Sequence, residues 1–276
     1  MGIGGFCLET LRGWSVLDRA ASASPFTEDA RYPRRKRGYE RKMAMKLLLT
    51  SAGITNDTIR QALLDLLGKP IEASKALLVP TAIYTYPEGS GYAWAELKEL
   101  GELGWKAFGV LELTALPSLP EESWLAAVEA TDALIVGGGN GFYLSYWMQE
   151  SGLAKRLLEL LGSLVYVGVS AGSALVTASI NVNREELEKT GVYHDDEYDE
   201  TGPPKASSDK TLGLVVMTLR PHLNADYFPN ASLENMERWA AKVDVPLYAI
   251  DDQTAIKVVD GAVEVVSEGQ WKRFEK

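Results

Sequence analysis

The stretch Leu164-Val-Tyr-Val-Gly168-Val-Ser170-Ala-Gly172-Ser-Ala174 carries the strongest indication of fold and chemistry in this sequence. Its apolar first half predicts a strand buried on both faces, and the small residues after Ser170 suit the start of a helix. The flanking glycines complete a G-x-S-x-G pattern, in which a tight strand-to-helix turn leaves no room for a β-carbon. Such a turn exposes the serine hydroxyl above a sheet. The stretch therefore predicts a nucleophilic Ser170, with a purely structural turn as the alternative.

From residue 46 onward, short apolar runs alternate with amphipathic stretches, which is typical of βα units around a parallel sheet. The apolar runs predict strands at 46–50, 76–80, 106–111, 133–136 and 164–169. The amphipathic stretches predict helices at 58–67, 88–103, 121–130 and 142–161. Together they predict a doubly wound, three-layer α/β/α domain with a mostly parallel sheet. In such a domain, ligands bind at the carboxyl ends of the strands.

The pattern changes after residue 180. Residues 181–210 are polar and acidic and contain proline and glycine, so they predict a long surface excursion with one short helix at 184–189. Loops of that length are usually functional or disordered. The sheet is predicted to resume at 212–219, with a helix at 233–242 and strands at 248–250, 255–259 and 262–266. The last two strands form a predicted hairpin around Asp260-Gly261.

A serine hydroxyl needs a base to remove its proton at neutral pH, and the chain has two histidines. His222 follows a predicted strand end, which is where this fold keeps its chemistry, so it is the predicted base. The alternative is a histidine that only caps the strand. His194 lies in the acidic excursion and is predicted to be a solvated loop residue. A metal site there would lack a second histidine nearby.

The base in turn needs an acidic acceptor that holds its tautomer. Asp252 lies just past the predicted strand 248–250, which makes it the first candidate. Asp251 and Glu185 are rivals, because an acidic residue in a strand-end turn is as often a turn former. The sequence leaves the choice open.

A second glycine-rich stretch is Ala133-Leu-Ile-Val-Gly137-Gly-Gly-Asn140-Gly-Phe-Tyr143. A dinucleotide-binding G-x-G-x-x-G would need a glycine where Phe142 stands, and the lysine of a phosphate-binding P-loop is missing. We therefore expect the run 137–139 to bring backbone N–H groups to a reacting carbonyl. With the N–H of Ala171, it would stabilise an oxyanion. A tight βα turn is the alternative.

The net charge of −10 and the acidic body disfavour nucleic-acid binding. No apolar run approaches the roughly 18 residues that span a membrane. The single cysteine, Cys7, excludes an internal disulfide and suits a reducing compartment, so we expect a cytoplasmic protein. Residues 1–42 lack periodicity and end in a basic run. They predict a disordered N-terminal extension before a single catalytic domain at 43–276.

Three motifs in this order, Val136-Gly-Gly-Gly-Asn140, Gly168-Val-Ser-Ala-Gly172 and Arg220-Pro-His222, resemble the peptidase E family of S51 serine peptidases over about residues 45–266. The resemblance implies a fold like that of class I glutamine amidotransferases, which is flavodoxin-like, with serine in place of their cysteine. It also implies cleavage of dipeptides that begin with aspartate, without metal or cofactor. Cyanophycin-degrading enzymes are related.

By motif position, the resemblance implies Ser170 as nucleophile, His222 as base and Asp252 as acid. It implies an oxyanion hole from the N–H groups of Gly139 and Ala171, and it implies Gly138 and Asn140 beside the substrate. The sequence departs from the family in three places. Gly141 stands where threonine is common, no arginine-rich segment follows the histidine, and aspartates replace a Pro-Glu-Gly turn. The residue preference at the cleaved bond is thus left open.

The predicted function is a serine hydrolase of the dipeptidase type that cleaves small peptides through an acyl-enzyme, as a monomer or homodimer. One alternative is an α/β-hydrolase esterase. Those enzymes place the acid before the histidine, which is the reverse of the order here unless Glu185 or Asp196 serves. The other alternative is a non-catalytic ligand-binding or regulatory domain, since fold does not determine function.

Overall fold

The computed structural model describes residues 44–181 and 183–276, so the extension expected at 1–42 lies outside the described residues. The described strands are, in chain order, β1 (Lys46–Thr50), β2 (Lys75–Val79), β3 (Ala107–Val110), β4 (Ala133–Val136), β5 (Val165–Val169), β6 (His194–Asp195), β7 (Glu200–Thr201), β8 (Thr218–Arg220), β9 (Leu247–Ile250), β10 (Thr254–Val259), β11 (Ala262–Ser267) and β12 (Trp271–Phe274). The described α-helices are α1 (Asp57–Leu67), α2 (Gly89–Gly101), α3 (Glu121–Glu129), α4 (Gly141–Glu150), α5 (Leu153–Leu160), α6 (Ala171–Ala174), α7 (Arg184–Thr190) and α8 (Leu233–Lys242). Short 3₁₀ helices lie at Ile71–Ala73, Thr81–Thr85 and Leu113–Ser118.

Seven strands form the central sheet, in the order β11-β10-β1-β5-β4-β2-β3. The five strands from β1 to β3 in that order run parallel, and β10 and β11 are antiparallel. The registers Thr50↔Val169 and Val136↔Gly168 align the carboxyl ends of β1, β5 and β4. The residues that follow these three strands therefore meet at one edge of the sheet.

Apolar side chains cover both faces of this sheet. Leu48 of β1 joins one core cluster with helices α1 and α2, whereas Leu47 and Leu49 join the other cluster with α3, α4 and α5. This alternation follows from the two-residue period of a strand. Each face is buried under a helical layer, which confirms the predicted doubly wound, three-layer α/β domain with a mostly parallel sheet.

Local signals explain where the helices begin and end. The side chain of Asn56 accepts a hydrogen bond from the N–H of Ile59 and caps α1, which ends at Gly68 in the left-handed conformation. The predicted single helix at 142–161 is wrong, because the chain forms α4 and α5 with Gly152 between them at φ 78°. A left-handed residue cannot continue a helix, so the two segments pack as separate helices.

The chain after residue 180 departs from the prediction in the placement of its strands. The strand expected at 212–219 is reduced to β8, and β8 and β9 pair in a separate three-stranded sheet with β12 rather than in the central sheet. Helix α8 packs on this second sheet through Met236 and Trp239. The predicted hairpin of β10 and β11 is confirmed, with Asp260 and Gly261 both at positive φ.

The acidic excursion is ordered into helix α7 and a two-stranded hairpin of β6 and β7. Its backbone connects to the main body, since Ser208 donates from its N–H to the carbonyl of Phe142. Over residues 44–181 and 183–276, no helix combines the length and apolar character needed to cross a membrane.

Candidate active site

Strand β5 delivers Ser170 at a sharp turn into α6, with φ 49° and ψ −111°. The turn needs glycine on both sides. A β-carbon on Gly172 would lie 1.9 Å from the carbonyl oxygen of Val136, and one on Gly168 would lie 2.6 Å from the backbone of Ser173. The close approach expected from the G-x-S-x-G pattern is therefore present. A serine at positive φ is strained, and such strain is often found at functional sites.

The structure brings Ser170, His222 and Asp252 together. Nε2 of His222 lies 2.8 Å from Oγ of Ser170, and Nδ1 of His222 lies 2.7 Å from Oδ1 of Asp252. His222 follows β8 and Asp252 follows β9, so parallel pairing of these two strands sets the imidazole beside the carboxylate. These distances allow the imidazole to accept the serine proton while Asp252 holds its other nitrogen.

The carboxylate of Asp252 is held by several donors. Partial burial alone would raise its pKa, but hydrogen bonds from His222, Tyr227 and Ser51 outweigh burial and lower the pKa to about 2. Asp252 is therefore ionised near neutral pH, which keeps a proton on Nδ1 of His222 and leaves Nε2 free to accept. Ser51 also accepts a hydrogen bond from the backbone N–H of His222, at 2.8 Å.

The rivals of Asp252 have other partners. Asp251 accepts hydrogen bonds from the hydroxyl of Thr254 and the N–H of Gln253, which makes it a turn former. Glu185 is exposed on α7, and its contact is an ion pair with Lys189. His194 lies in the β6–β7 hairpin, where its ring nitrogens contact Thr201 and Asp196.

Two backbone N–H groups beside Ser170 have no hydrogen-bond acceptor within the described part of the chain, those of Ala171 and Gly139. Ala171 opens helix α6, so the positive end of this helix adds to the field at its N–H. Gly139 has φ 127°, and a β-carbon there would lie 2.4 Å from the backbone of Ala82. Both donors are available for an oxyanion formed at Ser170.

Gly138 and Asn140 are placed differently. The N–H of Gly138 donates to Oε1 of Glu96 at 3.2 Å, while its Cα faces the side chain of Ser170. The side chain of Asn140 is buried and caps α4 by accepting from the N–H of Tyr143, and its amide donates to the carbonyl of Thr201. Asn140 therefore orders the loop and joins it to the β6–β7 hairpin.

A cavity of about 620 Å³ opens beside Ser170 and His222. Its walls come from the loops after β1, β4 and β5, from helix α2, and from the acidic excursion. It carries Tyr86, Tyr92, Phe142 and Phe228 among its aromatic side chains. This volume lies within the usual range of small-molecule and peptide sites.

The cation on the cavity wall is Arg220, which is buried and paired with acidic groups through its two terminal nitrogens. Its guanidinium lies 2.7 and 2.8 Å from the two carboxylate oxygens of Asp195 and 3.1 Å from Oε2 of Glu197. The Cζ atom of Arg220 also lies over the rings of Tyr198 and Trp239, 4.3 Å from the centroid of each ring. Burial opposes the charge of Arg220, but these carboxylates raise its pKa, so it stays charged.

Sequence reasoning missed four residues of this site. Ser51 directly follows β1, so the expectation of chemistry at strand ends would have found it. Tyr227, Glu96 and Glu200 carry no such signal, because they reach the site from a loop, a helix and the hairpin. Within residues 44–181 and 183–276, no group of three or more His, Cys, Asp and Glu side chains is arranged to hold a metal ion.

The chain is similar in sequence to known peptidases. The family model of peptidase family S51 matches residues 47–266. Peptidase E of Streptomyces coelicolor is 28% identical over 140 residues, which are 49% of this chain and 51% of that protein, so the match spans about half the length of this relative.

Two solved structures share the fold. A candidate peptidase E from Listeria monocytogenes EGD-e superposes with a TM-score of 0.62 and 20% identity, covering 82% of this chain and 100% of that one. A peptidase from an acI-B1 actinobacterium gives a TM-score of 0.53 and 17% identity, covering 85% and 95% of the two chains. The flavodoxin-like fold is thereby confirmed. Because the family model covers most of the sequence, the chain belongs to peptidase family S51, the serine-type peptidases of the peptidase E group.

Proposed function

We propose that this chain hydrolyses small peptides, dipeptides among them, with Ser170 as nucleophile, His222 as general base and Asp252 as the acid that orients it. The observation that carries the proposal is the continuous contact from Ser170 through His222 to Asp252 at the wall of a peptide-sized cavity. The activity is assigned to one catalytic domain, residues 43–276, acting without metal or cofactor as a monomer or homodimer.

In the acylation step, Oγ of Ser170 attacks the carbonyl carbon of the peptide bond while Nε2 of His222 takes its proton. The carbonyl oxygen becomes an oxyanion, which the N–H groups of Ala171 and Gly139 stabilise. His222 then returns the proton to the leaving amine as the C–N bond breaks, and an ester to Ser170 remains. Asp252 stabilises the imidazolium that exists between the two proton transfers.

Deacylation repeats these roles with water. Nε2 of His222 removes a proton from a water molecule that attacks the ester carbonyl, and the same two N–H groups hold the second oxyanion. The proton then goes to Oγ of Ser170, which leaves as the free hydroxyl, and the carboxylic acid product departs.

The decisive experiment compares wild type with Ser170→Ala on a panel of dipeptides and aminoacyl anilides, including Asp-Leu and Asp-nitroanilide. We expect turnover to be abolished with the fold unchanged by circular dichroism, and a fluorophosphonate probe to label wild type but not the variant. Ser163→Ala is the matched control, because its exposed hydroxyl bonds only to a local carbonyl. Undiminished turnover by Ser170→Ala would refute the mechanism. Absence of both cleavage and labelling in wild type would favour a non-catalytic ligand-binding domain.

A further inference from the structure

The walls of the catalytic cavity are strongly acidic. Arg220 is the cation among its lining side chains, and the lining carboxylates are Glu88, Glu96, Glu99, Asp195 and Glu200. Asp195 and Glu197 already neutralise Arg220 through short ion pairs. The other lining carboxylates are thus left without an ion pair among the described residues.

Glu96 is the carboxylate nearest to the glycine run beside the nucleophile. Its Oε1 accepts a hydrogen bond from the N–H of Gly138, whose Cα faces Ser170, and Oε2 has no hydrogen-bond partner within the described residues. No cation pairs with it there. Burial, with a smaller contribution from Glu99, raises the pKa of Glu96 to about 7. A largely buried carboxylate with a free oxygen and no counter-ion is a ready acceptor for a cationic group.

Glu200 reaches the same cavity from the β6–β7 hairpin. The hydroxyl of Tyr86 donates to its Oε1, and the N–H of Gly141 also stabilises the carboxylate. Burial still dominates and raises the pKa of Glu200 to about 7. Arg220 lowers the pKa of Glu200 only in part, because burial outweighs it. Two carboxylates from different segments of the chain therefore line the cavity, and neither forms an ion pair within the described residues.

We propose that Glu96 and Glu200 select substrates in which the residue that acylates Ser170 carries a positive charge, as an ammonium or a guanidinium group. This inference rests on the proposed function, since it concerns the substrate of the same site. A cation in this cavity would be attracted by both carboxylates and would restore its charge balance. An aspartyl side chain would add a negative charge beside them, because Arg220 is already held by Asp195 and Glu197.

Two sources of the charge are possible, the α-ammonium of a free N-terminus and a basic side chain. Four anilides separate them: lysyl-p-nitroanilide carries both charges, N-acetyl-lysyl-p-nitroanilide only the side-chain charge, norleucyl-p-nitroanilide only the α-charge, and N-acetyl-norleucyl-p-nitroanilide none. We expect kcat/KM for at least one singly charged substrate to exceed that of the uncharged one about tenfold or more, which is the effect of one charge-assisted hydrogen bond. Whichever singly charged substrate is preferred identifies the source.

The variants Glu96→Gln and Glu200→Gln remove the charges while keeping the acceptor oxygens for Gly138 and Tyr86. Each is expected to lower kcat/KM for the preferred charged anilide about tenfold more than kcat/KM for the uncharged anilide. Glu102→Gln is the matched control, because this exposed residue follows the same helix as Glu96 and lies outside the cavity wall. Equal kcat/KM for all four anilides would overturn the proposal.

A binding measurement separates this inference from the proposed function. Calorimetry on Ser170→Ala compares lysinamide, N-acetyl-lysinamide, norleucinamide and N-acetyl-norleucinamide, and needs no turnover. Tighter binding of the charged ligands, lost in the double variants with Glu96→Gln or Glu200→Gln, supports the inference even if no anilide is cleaved. Cleavage of the anilides without any charge preference in turnover or binding leaves the peptidase intact and overturns the inference.

Discussion

The hydroxyl of Tyr227 donates a hydrogen bond to Oδ2 of Asp252, while the other oxygen of the same carboxylate faces Nδ1 of His222 at 2.7 Å. Ser51 donates to Oδ1 as well, at 2.7 Å. The carboxylate is therefore held at both oxygens before any substrate arrives. A fixed acceptor keeps the imidazole in one orientation, which a serine mechanism requires.

Removing the Tyr227 hydroxyl tests this support. Tyr227→Phe should lower kcat/KM about three- to tenfold, because Asp252 loses a hydrogen bond and its pKa rises from about 2 toward its ordinary value. The acidic limb of the pH profile of kcat/KM should move to higher pH. Tyr84→Phe, on an exposed ring outside the cavity, is the control. An unchanged rate and profile would show that the hydroxyl has no positioning role.

The neighbouring aspartates form a matched pair. Asp252→Asn should lower kcat by about 10³- to 10⁴-fold, since an amide no longer holds the required tautomer of His222. Asp251→Asn should leave kcat within a few-fold but lower the free energy of unfolding by about 1–2 kcal/mol, because it weakens the turn bonds to Thr254 and Gln253. Steady-state kinetics and urea unfolding on both variants measure this. If Asp251→Asn proves the slower enzyme, the assignment of the acid is wrong.

Replacement of Gly172 tests the packing of the strand-to-helix turn at Ser170. Gly172→Ala would force a β-carbon to within 1.9 Å of the Val136 carbonyl oxygen, a backbone atom that cannot move aside easily. We expect a loss of at least about 3 kcal/mol in unfolding free energy or failure to fold. Gly91→Ala, in helix α2 with open space around it, should instead stabilise the protein by about 0.5–1 kcal/mol. Similar unfolding midpoints for the two variants would contradict the close contact.

The buried glutamates make stability depend on pH. Folding raises the pKa of Glu96 and of Glu200 to about 7, so between about pH 4.5 and 7 the folded protein keeps protons that the unfolded chain releases. Stability should therefore fall as pH rises through this window, by about 2 kcal/mol per carboxylate.

Glu99 raises the pKa of Glu96, and Asp195 raises the pKa of Glu200. The N–H of Gly138 lowers the first pKa, and Tyr86 and Arg220 lower the second, but burial outweighs them. Denaturant unfolding at pH 5, 6 and 7 checks the slope. Glu96→Gln should flatten it and Glu102→Gln should not. A wild-type stability that rises from pH 5 to 7 would contradict the uncompensated burial.

Much of the fold follows from sequence because its signals are local. The alternation of apolar runs predicts the parallel strands, and the G-x-S-x-G pattern predicts the turn at Ser170 from the steric demand of two glycines. The helix break at Gly152 was missed because an isolated glycine in a helical pattern is usually tolerated. The second sheet was missed because strand partners depend on contacts between residues distant in sequence.

Part of the candidate site also follows from local sequence signals, and part depends on contacts between distant segments. The expectation that functional residues follow the ends of strands identifies all three proposed catalytic residues, Ser170, His222 and Asp252. Sequence alone does not separate Asp252 from Asp251, since adjacent side chains of a turn point in different directions: Asp252 contacts His222 and Asp251 contacts Thr254. Glu96 and Glu200 reach the cavity only because a helix and a hairpin pack beside the glycine run, and no local pattern encodes that packing.

The β6–β7 hairpin supplies Glu200 to the cavity, whereas the proposed catalytic side chains follow the carboxyl ends of strands in two larger sheets. Surface hairpins accept insertions and deletions far more readily than sheet strands do. Related proteins can therefore acquire a different substrate preference by exchanging this hairpin, while the machinery that breaks the bond is inherited unchanged.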